Sequence, residues 1–132
     1  SAVEYINGDK FWYKNGELHR EDGPACEYAN GTKKWYKNGL LHREDGSAYE
    51  FADGSKEWHK HGTFHRENGP TIEYSNGYKA WYKNGKYNRE AGPAVENING
   101  TKSWFLDGKF YGSDIKFTNE SWKRFVKTLI FS

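Results

Sequence analysis

Apolar and polar positions along the chain recur with a period of 23 residues and no insertion. Trp12, Trp35, Trp58, Trp81 and Trp104 keep that step, and so do Lys10, Lys33, Lys56, Lys79 and Lys102, each two residues before its Trp. Glu4, Glu27, Glu50, Glu73 and Glu96 keep it as well. Three glycine ladders start at Gly8, Gly16 and Gly23, and together they hold 14 of the 15 glycines. Self-similarity at a fixed period is the signature of a repeat architecture. The second unit reads PACEYANGTKKWYKNGLLHREDG. Its Asn30-Gly31 and Asn38-Gly39 steps are hairpin signals, because a type I′ turn needs positive φ at both central residues. Asp45-Gly46 marks a further bend or bulge.

The spacing predicts strands over 25–29, 32–37 and 40–44, with equivalents in the other units. If both turns hold two residues, Glu27 faces Lys34, Tyr28 faces Lys33 and Cys26 faces Trp35. Across the second turn Tyr36 faces Leu41 and Trp35 faces His42. Facing residues share a side of the sheet. One side then carries Cys26, Tyr28, Lys33, Trp35 and His42, and the other Ala25, Glu27, Tyr36, Leu41 and Arg43. Lysine stems are expected to lie on aromatic rings, and Glu and Arg ladders to pair between units.

After Asp114 the period fails, and residues 117–132 read as a helix. Asn119 is the expected N-cap, with Glu120 favourable in the first turn. Trp122, Phe125, Val126, Leu129 and Ile130 form an apolar stripe at helical spacing. A helix this short is marginal alone in water, so it is expected to dock as a cap on the end of the sheet. Its alternative use is as a partner-binding or membrane-surface element.

Composition fits this picture. Aromatics make up 18% of residues against 35% for all hydrophobic types, a stock suited to a thin β-rich sheet rather than a thick aliphatic core. The formal net charge is +2, from 20 basic and 18 acidic residues, which gives no bulk argument for nucleic acid or membrane as partner. The single Cys26 can form no internal disulfide. No apolar run reaches the roughly 18–20 residues that cross a bilayer, and no signal-peptide pattern opens the sequence.

Catalysis normally needs a singular constellation, whereas nearly every polar residue here is a ladder member. His19, His42 and His65 recur at one position that reads Asn88 and Tyr111 later, which points to a structural role over a metal site. His59, His61 and His65 are the one local cluster, and no fourth ligand accompanies them. The Glu and Arg ladders read as structural ion pairs, since catalytic carboxylates need distinct environments. Cys26 fills a packing position held elsewhere by Val3, Tyr49, Ile72 and Val95. No catalytic, cofactor-binding or metal-binding residue is assigned. Lys14, Lys37, Lys60 and Lys83 at the second turns are expected to keep sheet edges soluble.

Partner specificity is expected where the units differ. One such position reads Phe11, Lys34, Glu57, Ala80 and Ser103, and another Glu17, Leu40, Thr63, Lys86 and Lys109. Phe11, Lys34, Glu57, Ala80, Leu40, Thr63 and Lys86, with Trp122 and Lys123 of the helix, are the candidate partner-binding residues. The exposed edge of the N-terminal unit also makes self-association conceivable.

The unit W-Y-K-N-G-x-L-H-R-E-D-G-P-A-x-E-Y-x-N-G-x-K, with HREDGPA at 19–25, resembles the MORN-type repeat in its prokaryotic and viral variant form. The resemblance covers residues 2–116. It implies an all-β repeat: five 23-residue hairpin units (2–24, 25–47, 48–70, 71–93 and 94–116) in an elongated antiparallel meander, followed by the capping helix at 117–132. The eukaryotic form differs in its Tyr and Gly spacing and lacks the doubled Asn-Gly, so its lipid-binding association is not carried over. The resemblance supplies no reaction. It implies a cytoplasmic, non-enzymatic scaffold that binds another protein, such as a phage-encoded modulator of a host defence or metabolic factor. The alternative is a protein that sequesters a nucleotide or sugar on its aromatic ladder.

Overall fold

The computed structural model describes residues 2–131. The chain divides between Glu67 and Asn68 into two compact units. In the first, the strands Ala2–Glu4, Lys10–Lys14, Cys26–Glu27, Lys33–Lys34, Tyr49–Glu50 and Lys56–Glu57 pair with their successors, all antiparallel. In the second, Ile72–Glu73, Lys79–Ala80, Val95–Glu96, Lys102–Leu106 and Lys109–Ser113 do the same. Each repeat adds a small second hairpin, such as Tyr36–Lys37 with Leu40–Leu41 and Tyr82–Lys83 with Lys86–Tyr87. The expected antiparallel meander with a single C-terminal helix is therefore present, and the sheet is open.

The two Asn-Gly turns differ, and that difference corrects the register. At the second turn Asn38 (φ 51°) and Gly39 (φ 79°) both sit in the left-handed region, as a two-residue hairpin loop requires, and Tyr36 faces Leu41 as expected. At the first turn Gly31 alone has positive φ. The Tyr28 N–H donates to the Thr32 carbonyl and the Gly31 N–H to the Tyr28 carbonyl, so the loop holds three residues. Cys26 consequently faces Lys34 and Glu27 faces Lys33. A one-residue slip moves every later side chain to the other face. Lys34 thus joins Cys26 and Tyr28, while Trp35 joins Arg43 and Glu50.

The strands are also shorter than expected, and the long one at 32–37 breaks at Trp35. There the chain changes partners. The Trp35 N–H donates to the Ala48 carbonyl at 2.7 Å, while its own carbonyl accepts from the His42 N–H at 2.9 Å. The position after each Pro or Ser, held by Ala25, Ala48, Thr71 and Ala94, is fully buried, so only small side chains fit there.

The helix spans Asn119–Ile130, after a 3-10 turn at Asp114–Lys116. Its N-cap is Thr118, one residue before the expected Asn119. The Thr118 hydroxyl accepts from the Ser121 N–H while the Ser121 hydroxyl accepts from the Thr118 N–H, a reciprocal capping box. Trp122 and Val126 are buried with Trp104, and Leu106, Tyr111, Phe117 and Phe125 pack around them. Leu129 and Ile130 are about half exposed, so the apolar stripe is used only in its N-terminal half. Accordingly, Trp122→Ala is expected to cost about 3–5 kcal/mol in chemical denaturation, against about 1 kcal/mol or less for Leu129→Ala. Equal losses would show that the whole stripe docks.

Candidate functional site

The Trp face is an internal bonding system. In four repeats an Arg guanidinium lies over the indole: Arg20 on Trp12, Arg43 on Trp35, Arg66 on Trp58 and Arg89 on Trp81, at 3.7–3.9 Å from Cζ to the ring centroid. Arg43 Nη1 donates to the Ser47 carbonyl and to Glu50 Oε2, both at 3.1 Å. Arg20 makes the matching bonds to Pro24 and Glu27, and Arg89 to Pro93 and Glu96. The expected Glu–Arg pairing between repeats is therefore observed at three joints. The third glycine ladder serves this system. A Cβ on Gly23, Gly46 or Gly92 would come within 2.9–3.0 Å of the guanidinium carbon, so Gly here provides clearance for a pinned side chain rather than a turn conformation.

Within the first unit the His ladder joins successive repeats. His19 Nδ1 accepts from the Asn38 N–H and His42 Nδ1 from the His61 N–H, both at 3.0 Å. That role leaves the proton on Nε2, which faces Glu21 Oε1 at 2.7 Å in His19 and Glu44 Oε1 at 2.9 Å in His42. The His19 bond holds the Glu21 carboxyl below the usual carboxylate range, and Lys60 followed by His42 does so for Glu44. In the fourth repeat Asn88 Oδ1 accepts from the Asp107 N–H at 2.9 Å, replacing the imidazole with another acceptor. Tyr111 fills the slot in the fifth repeat and packs on Trp122 and Phe125 of the helix.

His59, His61 and His65 do not converge. His59 Nε2 bonds Glu57, His61 packs on His42, and His65 lies 3.7 Å from Glu67. Among the described residues no group of three or more His, Cys, Asp or Glu is arranged to hold a metal ion.

The opposite face carries rings and one cation. In the first unit Tyr5, Phe11 and Tyr28 meet edge to face at 5.4–5.5 Å. Lys34 Nζ lies 5.3 Å from the Tyr28 ring and 4.7 Å from Tyr49, and Tyr49 stacks on Phe51 at 4.0 Å. Burial raises the pKa of the Cys26 thiol and of the Tyr28 and Tyr36 hydroxyls. In the second unit Tyr74, Tyr78 and Tyr82, with Ile72, Asn76, Asn97 and Ile98, line a shallow cleft of about 530 Å³. Burial, with the Tyr87 hydroxyl second, pushes the Tyr78 and Tyr82 hydroxyls well up. A larger cleft of about 750 Å³ lies beside the helix start, lined by Lys102, Trp104, Asp114, Ile115, Phe117 and Glu120 among others.

The candidate residues separate accordingly. Phe11, Lys34, Glu57 and Ala80 were expected on a free surface, but their position lies within the packed sheet. Ala80 is fully buried and the Glu57 side chain is 12% exposed. Trp122 is fully buried in the helix core and presents nothing to a partner. Leu40, Thr63, Lys86 and Lys123 are exposed, as are Glu17 and Lys109. The side chains of Glu17, Leu40 and Lys86 lie against the turn glycines Gly39, Gly62 and Gly108 of the next repeat. Sequence reasoning passed over the ladder Tyr5, Tyr28, Phe51, Tyr74, which keeps the same step of 23 and becomes Asn97. A three-residue first loop would have placed those rings beside Phe11 and Lys34.

No family model matches the chain, and no curated protein matches it. The likeness to MORN-type repeats therefore rests on the repeat residues themselves.

The His slot gives a direct test. His42→Asn keeps an acceptor and is expected to retain most of the stability. His42→Leu strands the His61 N–H and is expected to cost about 1–2 kcal/mol more in urea denaturation. Identical midpoints for the two variants would remove the acceptor role.

Proposed function

We propose that this chain is a non-enzymatic repeat scaffold that binds another protein through the exposed, variable side chains of its second hairpins. Glu17, Leu40 and Thr63 form that surface in the first unit, and Lys86 and Lys109 form it in the second. The observation that carries the reading is how the polar residues divide. At the joints described above the repeated Arg, His and Glu side chains are engaged with one another or with backbone, which leaves them little chemistry for a substrate. The positions that change from repeat to repeat without disturbing those bonds stand in solvent, where Leu40 is 49% exposed. No described helix is long and apolar enough to cross a membrane. The resemblance to phage and bacterial arrays extends the proposal to a cytoplasmic host factor as the partner.

The triple variant Glu17→Ser, Leu40→Ser, Thr63→Ser alters only exposed side chains, and its melting temperature is expected to stay near that of the parent. Capture of the partner from host lysate should fall at least about ten-fold, as expected when central interface side chains are truncated. Undiminished capture, or no capture by the parent at low salt, would overturn the reading.

A second reading has its own support in the ring-and-cation face. Tyrosine rings flanked by the Asn76 and Asn97 amides suit a sugar or a base, which stack on aromatic surfaces. A thermal-shift screen with nucleotides and sugars is expected to raise the melting temperature for one class and to lose that rise in Tyr74→Ala. A flat response across both classes excludes it.

A further inference from the structure

Three ladders break together on the ring face of the second unit. Tyr78 stands where Asp9, Thr32, Ser55 and Thr101 stand in the other repeats. Ala80 is the smallest residue in the row that also holds Phe11, Lys34, Glu57 and Ser103. Asn97 is the one residue without a ring in the row that begins with Tyr5, Tyr28, Phe51 and Tyr74. Tyr78 and Asn97 both line the cleft of about 530 Å³ described above. Ala80 lies between Ile72 and Val95 in neighbouring strands, and all three are buried, so the sheet beneath is flat and apolar.

These breaks leave polar groups open at the cleft. In the first unit the ladder residue accepts an N–H from twenty residues on: Asp9 Oδ1 from Ala29 and Thr32 Oγ1 from Ala52. The Tyr78 hydroxyl lies instead 3.4 Å from that of Tyr87, and among the described residues the Ile98 N–H has no acceptor. Asn76 Oδ1 accepts from the Tyr78 N–H, and its Nδ2 group has no acceptor among the described residues. Asn97 Nδ2 donates to Thr101 Oγ1, which leaves Asn97 Oδ1 as an acceptor without a donor among them. The Tyr74 and Tyr78 rings lie 5.6 Å apart at 29° and touch each other, so a ligand meets their outer surfaces and does not enter between them. None of the lining residues carries a charge. Glu73, Lys79 and Glu96, one position on in each strand, belong to the opposite face, where Glu96 meets Arg89. The ring face of the first unit differs here, because the Lys34 ammonium sits between Tyr28 and Tyr49.

We infer that this cleft of the fourth repeat binds a neutral saccharide, with a pyranose ring laid on the tyrosines and its hydroxyls on the Asn76 amide, the Asn97 carbonyl oxygen and the Ile98 N–H. A pyranose matches both halves of the site. Its C–H faces suit aromatic surface, and its rim of hydroxyls donates to Asn97 Oδ1 and accepts from Asn76 Nδ2 and Ile98. The volume lies within the roughly 300–1,000 Å³ of small-ligand sites. A nucleotide fits less well, because its phosphate would meet no cation among the lining residues. This inference rests on the second reading given above for the ring face and names its ligand class. It does not depend on the row of second hairpins.

The test follows the amide NMR signals of the whole chain during titration with the methyl glycosides of glucose, galactose, mannose and N-acetylglucosamine, and separately with adenosine and AMP. Saturable shifts of the Ile98 backbone signal and of the Asn76 and Asn97 side-chain signals are expected with at least one glycoside. Tyr78→Thr and Asn97→Tyr each restore a residue that the same ladder uses in another repeat, so their melting temperatures are expected to stay near that of the parent. Each should weaken glycoside binding at least about ten-fold, as for loss of a stacking ring or a buried hydrogen-bond partner. Binding by both variants at the parent's affinity overturns the placement of the site. Binding of adenosine with no response to any glycoside leaves a stacking surface on this face and overturns the saccharide. AMP binding more tightly than adenosine overturns the neutral ligand. No shift with any of the six probes overturns this inference together with the second reading on which it rests.

Discussion

An arginine held over a tryptophan ring sets the geometry of this fold, because the guanidinium satisfies four requirements from one place. It covers the indole, neutralises the Glu of the next repeat, caps a backbone carbonyl two residues before that repeat's strand, and demands a glycine for clearance. Charge-assisted bonds of this kind are stronger than neutral ones, and partial burial removes much of the competition from water. The spacing of Trp, Arg, Gly and Glu within the unit follows from that arrangement. Where the Arg is missing, at Gly112, the indole of Trp104 still has to be covered. Trp122 of the helix lies 5.4 Å from it, centroid to centroid, and does so.

Much of this was legible in the sequence, and the losses have physical causes. The period of 23, the hairpins and the terminal helix follow from ladders that are visible within one chain. The inter-repeat Glu–Arg pairs follow from their repetition. The register did not, because Asn-Gly supports two loop types, and only the φ of Asn30 against that of Asn38 separates them. That single ambiguity misplaced Trp35 and Lys34, while variation between repeats made a packed position look like a free surface. Ala80 and Glu57 vary between repeats because their neighbours on the ring face vary with them, so variability there reports compensation within the sheet. Trp122 was assigned two roles from the sequence, and burial decides between them.

The proposed function divides along the same line. Side chains that repeat are occupied with holding neighbours together, and the few that differ without compensation stand on the second hairpins. The proposed protein-binding role fits this arrangement, since a catalytic centre needs one pair of groups set apart from all the others. The ring-and-cation face offers aromatic surface on which a planar ligand could rest.

The bonds that link successive repeats within each unit through the His and Asp slots close over 19 or 20 residues of chain, and the helix anchor from Trp122 to the Arg89 carbonyl over 33. Loops of that size close quickly, and folds dominated by such short-range contacts fold fast. A chain built this way has no need to await its far end before ordering. Within each unit a hairpin can settle on the one before it while synthesis continues, and the helix, made after the fifth repeat, reaches the Trp104 indole that no Arg covers.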